Sequence, residues 1–304
     1  DQDEIGLKYL SGVFTGTAVT PRFGFGRVEA LSEGAGLCSI DNLNPDLAVS
    51  SGSADYFRTM INYMVSIGYE PGDNLVGFPY DWRQSVRYEP TLERLHTLIH
   101  STSSETDQID VITHSMGGLI MKAYLAKYPE DANNKIVNWI AIGTPWRGGG
   151  AVAYKALISG YNVEMTNVFG MGLSEQVARQ LELNWPSIYE LLPDLDRWVG
   201  QRPWVQYKLY GQSTARRVNT TSDLFGLLSE VNRNNRYRFL PGFPEEANPL
   251  NTAAWDHAQH TKRVLQQVES NWTIPNPARK LKIVSIYGTD VDTEYVLDID
   301  GSRL

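Results

Sequence analysis

The stretch that decides the fold of this chain runs Asp110-Val111-Ile112-Thr113-His114-Ser115-Met116-Gly117-Gly118-Leu119. It joins a short apolar strand, a turn that carries a serine, and small glycines that open an apolar helix. This order is typical of the nucleophile elbow, in which a strained strand-to-helix turn lifts a hydroxyl above the edge of an α/β sheet. Thr113 stands where the usual motif has its first glycine. We therefore expect Ser115 to be a nucleophile, the alternative being a serine that caps the N-terminus of the helix.

Strand and helix patterns alternate around this stretch. The predicted strands are residues 74–78, 109–113, 136–142 and 281–286, and the predicted helices are residues 54–67, 92–99 and 119–128. Strands that alternate with helices imply a parallel sheet with helices on both faces. The pattern breaks from residue 148 to residue 279, and so long an interruption predicts an inserted cap or lid. We therefore divide the chain into a core over residues 1–147, with an irregular, lid-like start over residues 1–52, a cap over residues 148–279, and a return to the core over residues 280–304.

Composition excludes several classes of function. The chain has 35 acidic and 27 basic residues and a net charge of -8, which argues against nucleic acid as a partner. No apolar run approaches the roughly 20 residues that span a bilayer, so we expect any membrane contact to be peripheral. Cys38 is the single cysteine, and no Cys/His cluster has the spacing of a zinc site. We therefore expect no intrachain disulfide, no metal and no cofactor.

Several short motifs follow one another in a definite order along the chain. They are Gly68-Tyr69-Glu70, Pro79-Tyr80-Asp81-Trp82-Arg83, His114-Ser115-Met116-Gly117, Gly143-Thr144-Pro145-Trp146 with Gly148-Gly149, and Tyr287-Gly288-Thr289 with Thr293. In order and spacing, from about Thr15 to Leu297, the chain resembles the lecithin:cholesterol acyltransferase-like family of α/β-hydrolases, which includes lysosomal phospholipase A2 and phospholipid:diacylglycerol acyltransferases. The Tyr-Asp-Trp-Arg stretch is the most specific motif, since ordinary lipases do not carry it at this distance before the elbow. The resemblance implies an α/β-hydrolase fold, a mostly parallel sheet with helices on both faces and an inserted cap.

The same resemblance implies an enzyme that moves a fatty acyl group from a glycerolipid to an alcohol or to water. Ser115 matches the nucleophile that forms the acyl-enzyme, and the backbone N–H of Met116 matches the first donor of the oxyanion hole. Asp81, Trp82 and Arg83 match positions at the rim of the site. For Asp81 and Arg83, an ion pair that fixes the loop is at least as good an interpretation as a catalytic role. The implied partner is a phospholipid or another acyl ester, at the surface of a membrane or a lipoprotein.

The histidines of the sequence have other expected roles than that of the base. In an elbow the neighbours of the nucleophile point away from its hydroxyl, so His114 is a poor candidate. The order in α/β-hydrolases is Ser, then Asp or Glu, then His. His257 and His260 precede the last predicted strand, so we expect them to be cap or surface residues. His96 and His100 belong to an amphipathic helix, and we expect them to be solvated.

The acid and the base of Ser115 are therefore expected beyond Leu304. Asp298 and Asp300 precede Gly301 and are interpreted as turn residues, not as the triad acid. A strand that would supply the second oxyanion donor is also missing before the first predicted helix. We expect the chain to be a middle fragment, to be completed by a second chain, or to be a degenerate homologue whose sheet has closed up.

Three questions stay open at this point. The alternative function is a non-catalytic scaffold or a subunit of a larger assembly, because fold alone does not fix activity. In the cap, residues 169–173 and the exposed-looking Trp185, Trp198, Trp204 and Trp255 are candidates for lipid contact, with core packing as an equal alternative. The family and the sequons at Asn219 and Asn271 favour a secretory or lysosomal compartment, whereas the single cysteine weakly favours the cytosol.

Overall fold

The secondary structure places a strand, a turn and a helix around Ser115, as the sequence predicts. A computed structural model describes residues 12–14, 19–21, 33–41, 55–101, 108–149, 151–160, 175–197, 204–208, 214–234, 250–273, 281–288 and 296–300. The strands are β1 (Gly12–Phe14), β2 (Val19–Pro21), β3 (Ile109–His114), β4 (Ile136–Ile142), β5 (Trp204–Lys208), β6 (Arg216–Val218), β7 (Lys282–Ile286) and β8 (Val296–Asp300). The helices are α1 (Cys38–Asp41), α2 (Arg58–Ser66), α3 (Glu89–Ser101), α4 (Met116–Lys127), α5 (Asp131–Asn134), α6 (Ala151–Ile158), α7 (Glu175–Glu182), α8 (Pro186–Glu190), α9 (Thr221–Asn234) and α10 (Thr252–Thr273).

The central sheet is parallel and has the strand order β3-β4-β7. Thr113 of β3 lies opposite Ala141 of β4, and Ile140 of β4 lies opposite Val284 of β7. Because the three strands run in the same direction, their carboxyl ends meet at one edge of the sheet, which is where Ser115 follows β3. Parallel pairing is confirmed for three of the four predicted strands, residues 109–113, 136–142 and 281–286.

A second sheet has the order β6-β5-β8. Strand β5 pairs antiparallel with β6 and parallel with β8, so the last described strand joins a strand of the predicted cap. Asp298 lies opposite Gln206 and Asp300 lies opposite Lys208. The interpretation of Asp298 and Asp300 as turn residues is therefore wrong, because a pairing with a strand some 90 residues earlier leaves no mark in the local sequence.

Two apolar cores stabilise these layers. One core lies where α3 and α4 pack on β4, and includes Leu92, Leu119, Tyr124, Trp139 and Ala141. The other lies among α6, α8, α9 and the first half of α10, and includes Leu157, Trp185, Leu192, Leu227 and Trp255. Trp185 and Trp255 are thus core residues, so the alternative of core packing holds at these two positions and that of lipid contact does not.

Helix α10 takes part in both cores, with Trp255 in the second and Leu265 in the first. The division of the chain at residues 147 and 279 stays a prediction. Within the described ranges, no helix combines the length and the apolar character needed to cross a bilayer.

One predicted strand is not formed. Residues 74–78 contain only an isolated bridge between Pro71 and Leu75. The backbone of Gly77 lies against the segment before α1: its N–H donates to the carbonyl of Ala35 at 2.8 Å, and an added Cβ would lie 2.6 Å from the carbonyl oxygen of Gly36. This close approach of two chain segments replaces the strand pairing that the apolar pattern predicts. Residues 169–173 and Thr293, together with most of residues 1–52, lie outside the described residues.

Candidate active site

Ser115 lies on the sharp turn between β3 and α4. Its backbone angles are φ 51° and ψ -126°, a region that residues with a side chain seldom adopt. The turn is held by hydrogen bonds from Ser115 N to the carbonyl of Ile142 at 2.9 Å and from Gly118 N to the carbonyl of Ser115 at 3.1 Å. Strain of this kind costs of order 1–3 kcal/mol and persists only where the surroundings impose it. The backbone at Ser115 matches the strained turn of a nucleophile elbow.

The two glycines after Met116 have different tasks. A Cβ at Gly118 would lie 2.1 Å from Thr144 Oγ1 and 2.5 Å from Thr144 Cγ2, which is closer than such atoms approach. A Cβ at Gly117 would meet its nearest neighbours, Thr113 Cβ and the Tyr80 hydroxyl, at 3.7 and 3.8 Å. Gly118 is therefore needed for the close packing of α4 against the turn after β4, whereas Gly117 is not required on steric grounds.

The hydroxyl of Ser115 has no hydrogen-bond partner among the described residues, and the serine is half-buried. All five histidines of the sequence lie in the described ranges, so none of them is hydrogen-bonded to Ser115. The ring of His114 contacts the Tyr56 hydroxyl instead and packs edge-on against Phe57. Burial lowers the pKa of His114. His114 therefore occupies a position beside the elbow in which it does not act on the serine.

Tyr80 approaches the elbow from the Tyr-Asp-Trp-Arg motif. The hydroxyl of Tyr80 faces the helix start at Gly117. Burial raises the pKa of Tyr80, and the nearby Tyr56 raises it further, so the phenol keeps its proton and remains a hydrogen-bond donor. Tyr80 belongs to the Tyr-Asp-Trp-Arg motif, but the sequence alone indicates no role for it.

Met116 is the first residue of α4. The first N–H groups of a helix have no acceptor within the helix, and the helix dipole places partial positive charge at this end. The Met116 side chain is buried in the core beneath the helix, which fixes the direction of its backbone. These features agree with an oxyanion donor, and that role stays a prediction.

Asp81, Trp82 and Arg83 form a tightly held loop. Arg83 donates from Nε to Asp81 Oδ1 at 2.9 Å and from Nη2 to Asp81 Oδ2 at 2.8 Å, a forked pair with both side chains largely buried. Trp82 is 37% exposed and meets Trp185 edge-on, with ring centroids 4.9 Å apart. These contacts support the interpretation that the ion pair between Asp81 and Arg83 stabilises the loop.

A network that the sequence analysis missed joins this loop to the cap. Glu190 of α8 accepts hydrogen bonds from Ser85 Oγ at 2.6 Å and from Val86 N at 2.8 Å. His257 Nε2 of α10 lies 2.9 Å from Ser85 Oγ and 3.7 Å from Glu190 Oε1. Burial raises the pKa of Glu190 to about 7 and lowers the pKa of His257. Ser85 is only 3% exposed, so it holds the cap to the loop and does not meet substrate.

His96 and His100 were expected to be solvated, but both also contact another side chain. Both rings lie against the buried carboxylate of Asp131, and the three side chains offer donor atoms that could hold a metal ion. Asp131 follows His100 by 31 residues, a separation that no zinc-spacing rule anticipates. The cluster lies near the C-terminal end of α4, whereas Ser115 precedes its N-terminal end.

Comparison with known proteins relates the chain to one family. A family model described as lecithin:cholesterol acyltransferase matches residues 30–298. Lecithin-cholesterol acyltransferase-like 4 of Arabidopsis thaliana is 30% identical over 287 residues, which cover 86% of this chain and 49% of the relative. Phospholipase A(1) LCAT3 of Arabidopsis thaliana is 27% identical over 275 residues, which cover 86% and 59%. The lysosomal phospholipase A and acyltransferase of Bos taurus is 29% identical over 171 residues, which cover 55% and 40%.

The chain spans about half the length of the curated relatives it matches. Among solved structures, a chain of the Tle4–Tli4 complex is similar with a TM-score of 0.41 and 16% identity, over 81% of this chain and 55% of that chain.

Proposed function

We propose that this chain, which belongs to the lecithin:cholesterol acyltransferase family of α/β-hydrolases, moves a fatty acyl group from a glycerolipid to an alcohol or to water. The observation that carries the proposal is the strained backbone of Ser115, with φ 51°, at the carboxyl edge of a parallel sheet. The Ser115 hydroxyl has no hydrogen-bond partner among the described residues. The relatives are named as phospholipases and acyltransferases, which supports lipid ester chemistry. They give no support to the alternative of a non-catalytic scaffold.

The proposed reaction proceeds in two steps. Ser115 Oγ attacks the ester carbonyl, its proton passes to a base, and the glycerolipid oxygen leaves with a proton as a lysolipid. An alcohol or a water molecule then attacks the acyl-enzyme and releases the new ester or the free fatty acid. In both steps the Met116 N–H donates to the negative oxygen of the tetrahedral intermediate. Tyr80 keeps its phenolic proton, so it offers a second hydrogen bond beside the elbow.

The proposed acid and base of Ser115 lie outside the 304 residues of this sequence. Among the described residues, which include all five histidines, none is hydrogen-bonded to Ser115, and this supports the assignment of the base. Either further polypeptide or a second chain would supply them. The apolar residues Ile283, Val284 and Ile286 of β7 are 41–48% exposed, and a completing segment would cover them.

We also propose that the chain binds to a lipid surface. Helix α2 and the residues after it expose several large apolar side chains, which are Tyr63, Val65, Ile67 and Tyr69. Such a surface suits the boundary between headgroups and acyl chains. Its neighbour Tyr56 contacts His114, so lipid contact at α2 would lie beside the elbow.

The function is tested with vesicles of phosphatidylcholine that carries a labelled acyl chain. The protein is purified together with the further polypeptide or second chain that supplies the acid and the base, and is incubated with these vesicles, with and without a long-chain alcohol. Labelled fatty acid and labelled ester are then measured. Ser115→Ala should abolish both products, because it removes the hydroxyl that forms the proposed acyl-enzyme. Ser270→Ala, a matched change at an exposed serine of α10, should keep the parent rate. Turnover of Ser115→Ala at the parent rate, or no turnover by the parent, would contradict the proposal.

A further inference from the structure

Three side chains from two helices converge near the C-terminal end of α4. His96 and His100 are four residues apart on α3, which places them on one face of the helix. Asp131 begins α5 and reaches the same point, with His100 Nε2 3.2 Å from each carboxylate oxygen and His96 Nδ1 3.5 Å from Oδ2. The donor atoms of the three residues all lie within 4.8 Å of one another.

The cluster combines a buried anion with accessible nitrogens. The side chain of Asp131 is 2% exposed, whereas the side chains of His96 and His100 are 34% and 38% exposed. A cation can therefore reach the site from solvent without crossing the core. Once there, it meets a carboxylate whose negative charge is poorly screened by water.

The surroundings hold the three ligands in place. The hydroxyl of Tyr124 donates to Asp131 Oδ2, which fixes the carboxylate. The ring of Tyr128 stacks on the ring of His96, with centroids 4.0 Å apart and an interplanar angle of 11°. Partners of this kind orient metal ligands and raise the affinity of a site.

The donor set and the distances suit a first-row divalent ion. Two imidazole nitrogens with one carboxylate oxygen are ligands that zinc accepts, at bonds of about 2.0–2.2 Å. In a tetrahedron with such bonds, neighbouring ligand atoms are about 3.3 Å apart. The observed nitrogen–oxygen separations of 3.2 and 3.5 Å bracket this value. Hydrogen bonds between histidine and aspartate have similar lengths, so a binding experiment must separate the two explanations.

We propose that His96 Nδ1, His100 Nε2 and the carboxylate of Asp131 bind one Zn²⁺-type divalent ion, with water at the fourth position. Tyr124 lies nine residues after Ser115, which is about 13 Å along the axis of α4. The ion therefore takes no part in acyl transfer. It ties α3, which covers the sheet, to the connection between α4 and β4, and so stabilises the core that supports the elbow.

The experiment measures zinc binding by calorimetry on tag-free protein that has been stripped with a chelator. One Zn²⁺ per chain is expected, with at least ~10-fold weaker binding in His100→Gln and no stoichiometric site in the double variant His96→Gln/His100→Gln. His260→Gln, a change at an exposed histidine of α10, is the matched control and should bind as the parent does. Mg²⁺ in large excess should not compete, because it prefers oxygen ligands.

Two further readouts keep the result interpretable. Zn²⁺ should raise the Tm of the parent and of His260→Gln, and should leave the Tm of the double variant unchanged. Co²⁺ should give the visible absorption of a tetrahedral nitrogen–oxygen site in the parent and in His260→Gln, and not in the double variant. The inference is overturned by an absence of stoichiometric binding in the parent, by its persistence in the double variant, or by competition from Mg²⁺. Equal thermal unfolding of all variants in chelator shows that they are folded.

Discussion

At the scale of the residue, Ser115 shows how a fold stores strain where chemistry is needed. A residue with a Cβ at φ 51° and ψ -126° is unfavourable in itself, and the pairing of Ser115 N with Ile142 holds it there. A position chosen for stability alone would carry glycine. The presence of serine is thus explained by the hydroxyl that the turn presents at the sheet edge.

Replacing Ser115 with glycine should therefore stabilise the protein while it removes activity. Glycine adopts positive φ without steric cost, so we expect the free energy of unfolding to rise by about 1 kcal/mol. Ser115→Ala is the matched control, because alanine loses the hydroxyl but keeps the strained Cβ. Urea denaturation of the three proteins measures the effect. Equal stability of the glycine and alanine variants would show that the turn is not strained.

Gly118 should be far less tolerant of a methyl group than its neighbour Gly117. In Gly118→Ala the Cβ meets the side chain of Thr144 at 2.1 Å, so we expect a loss of about 1–3 kcal/mol in the free energy of unfolding. Gly117→Ala places its Cβ at ordinary contact distances and adds a better helix former. That variant should match or exceed the parent in thermal unfolding. A reversed order of the two variants would refute the packing described for α4.

At the scale of the element, the network of Ser85, Glu190 and His257 fastens the Tyr-Asp-Trp-Arg loop to α8 and α10. Glu190 is 5% exposed and has a pKa raised to about 7 by burial, against an ordinary value of 4.5. Between pH 4.5 and about 7, Glu190 is therefore protonated in the folded state, whereas it is ionised in the unfolded chain. Its contribution to stability is complete below pH 4.5 and is lost as the pH rises to about 7.

Glu190→Gln should remove this pH dependence. Between pH 4.5 and pH 7 the stability of the parent relative to Glu190→Gln should fall by about 3 kcal/mol. His257 acts in the opposite sense: burial lowers its pKa, so its contribution is present above pH 6.5 and is lost as the pH falls. The other charged or titratable groups facing the pair are Arg87, His260 and Lys262.

The comparison is best repeated in a His257→Gln background, where the opposing contribution is absent. Denaturant unfolding at several pH values gives the difference between the two proteins. A difference that stays constant over this range would mean that Glu190 is ionised in the folded protein throughout.

Sequence patterns predicted the elements that are periodic and local. Helix α3 is confirmed because Leu92, Leu95 and Ile99 repeat at helical spacing and are buried. Strand β4 is confirmed because apolar residues fill it at every position except Asn138. The patterns failed where pairing is distant: Gly77 packs on Gly36, and β8 pairs with β5. No periodicity within a segment encodes a partner outside it.

The same limit applies to the candidate site. The elbow was found because strand, serine and glycines are adjacent in the sequence. Glu190 and Asp131 were missed because their partners Ser85 and His100 are 105 and 31 residues away. The sequence near a carboxylate does not indicate that it is buried, since burial depends on hydrogen-bonding or charged partners that are distant in the sequence.

At the scale of the whole molecule, the structure joins a parallel sheet to a helical cap through one long helix. Helix α10 buries Trp255 in the cap and Leu265 against the sheet, and Glu269 binds both Lys122 of α4 and Arg197. The lysine is 2% exposed, so this contact neutralises a buried charge. The cap is therefore anchored on α4, the helix that follows Ser115.

The central claim is that Ser115 is an activated nucleophile. The most direct test is the intact mass of the protein, purified with the polypeptide or second chain that supplies its base, before and after treatment with a fluorophosphonate probe. We predict one adduct per chain on the peptide that contains Ser115, retained in Ser270→Ala and absent in Ser115→Ala. A parent protein that gains no adduct, or an adduct that persists in Ser115→Ala, would contradict the claim.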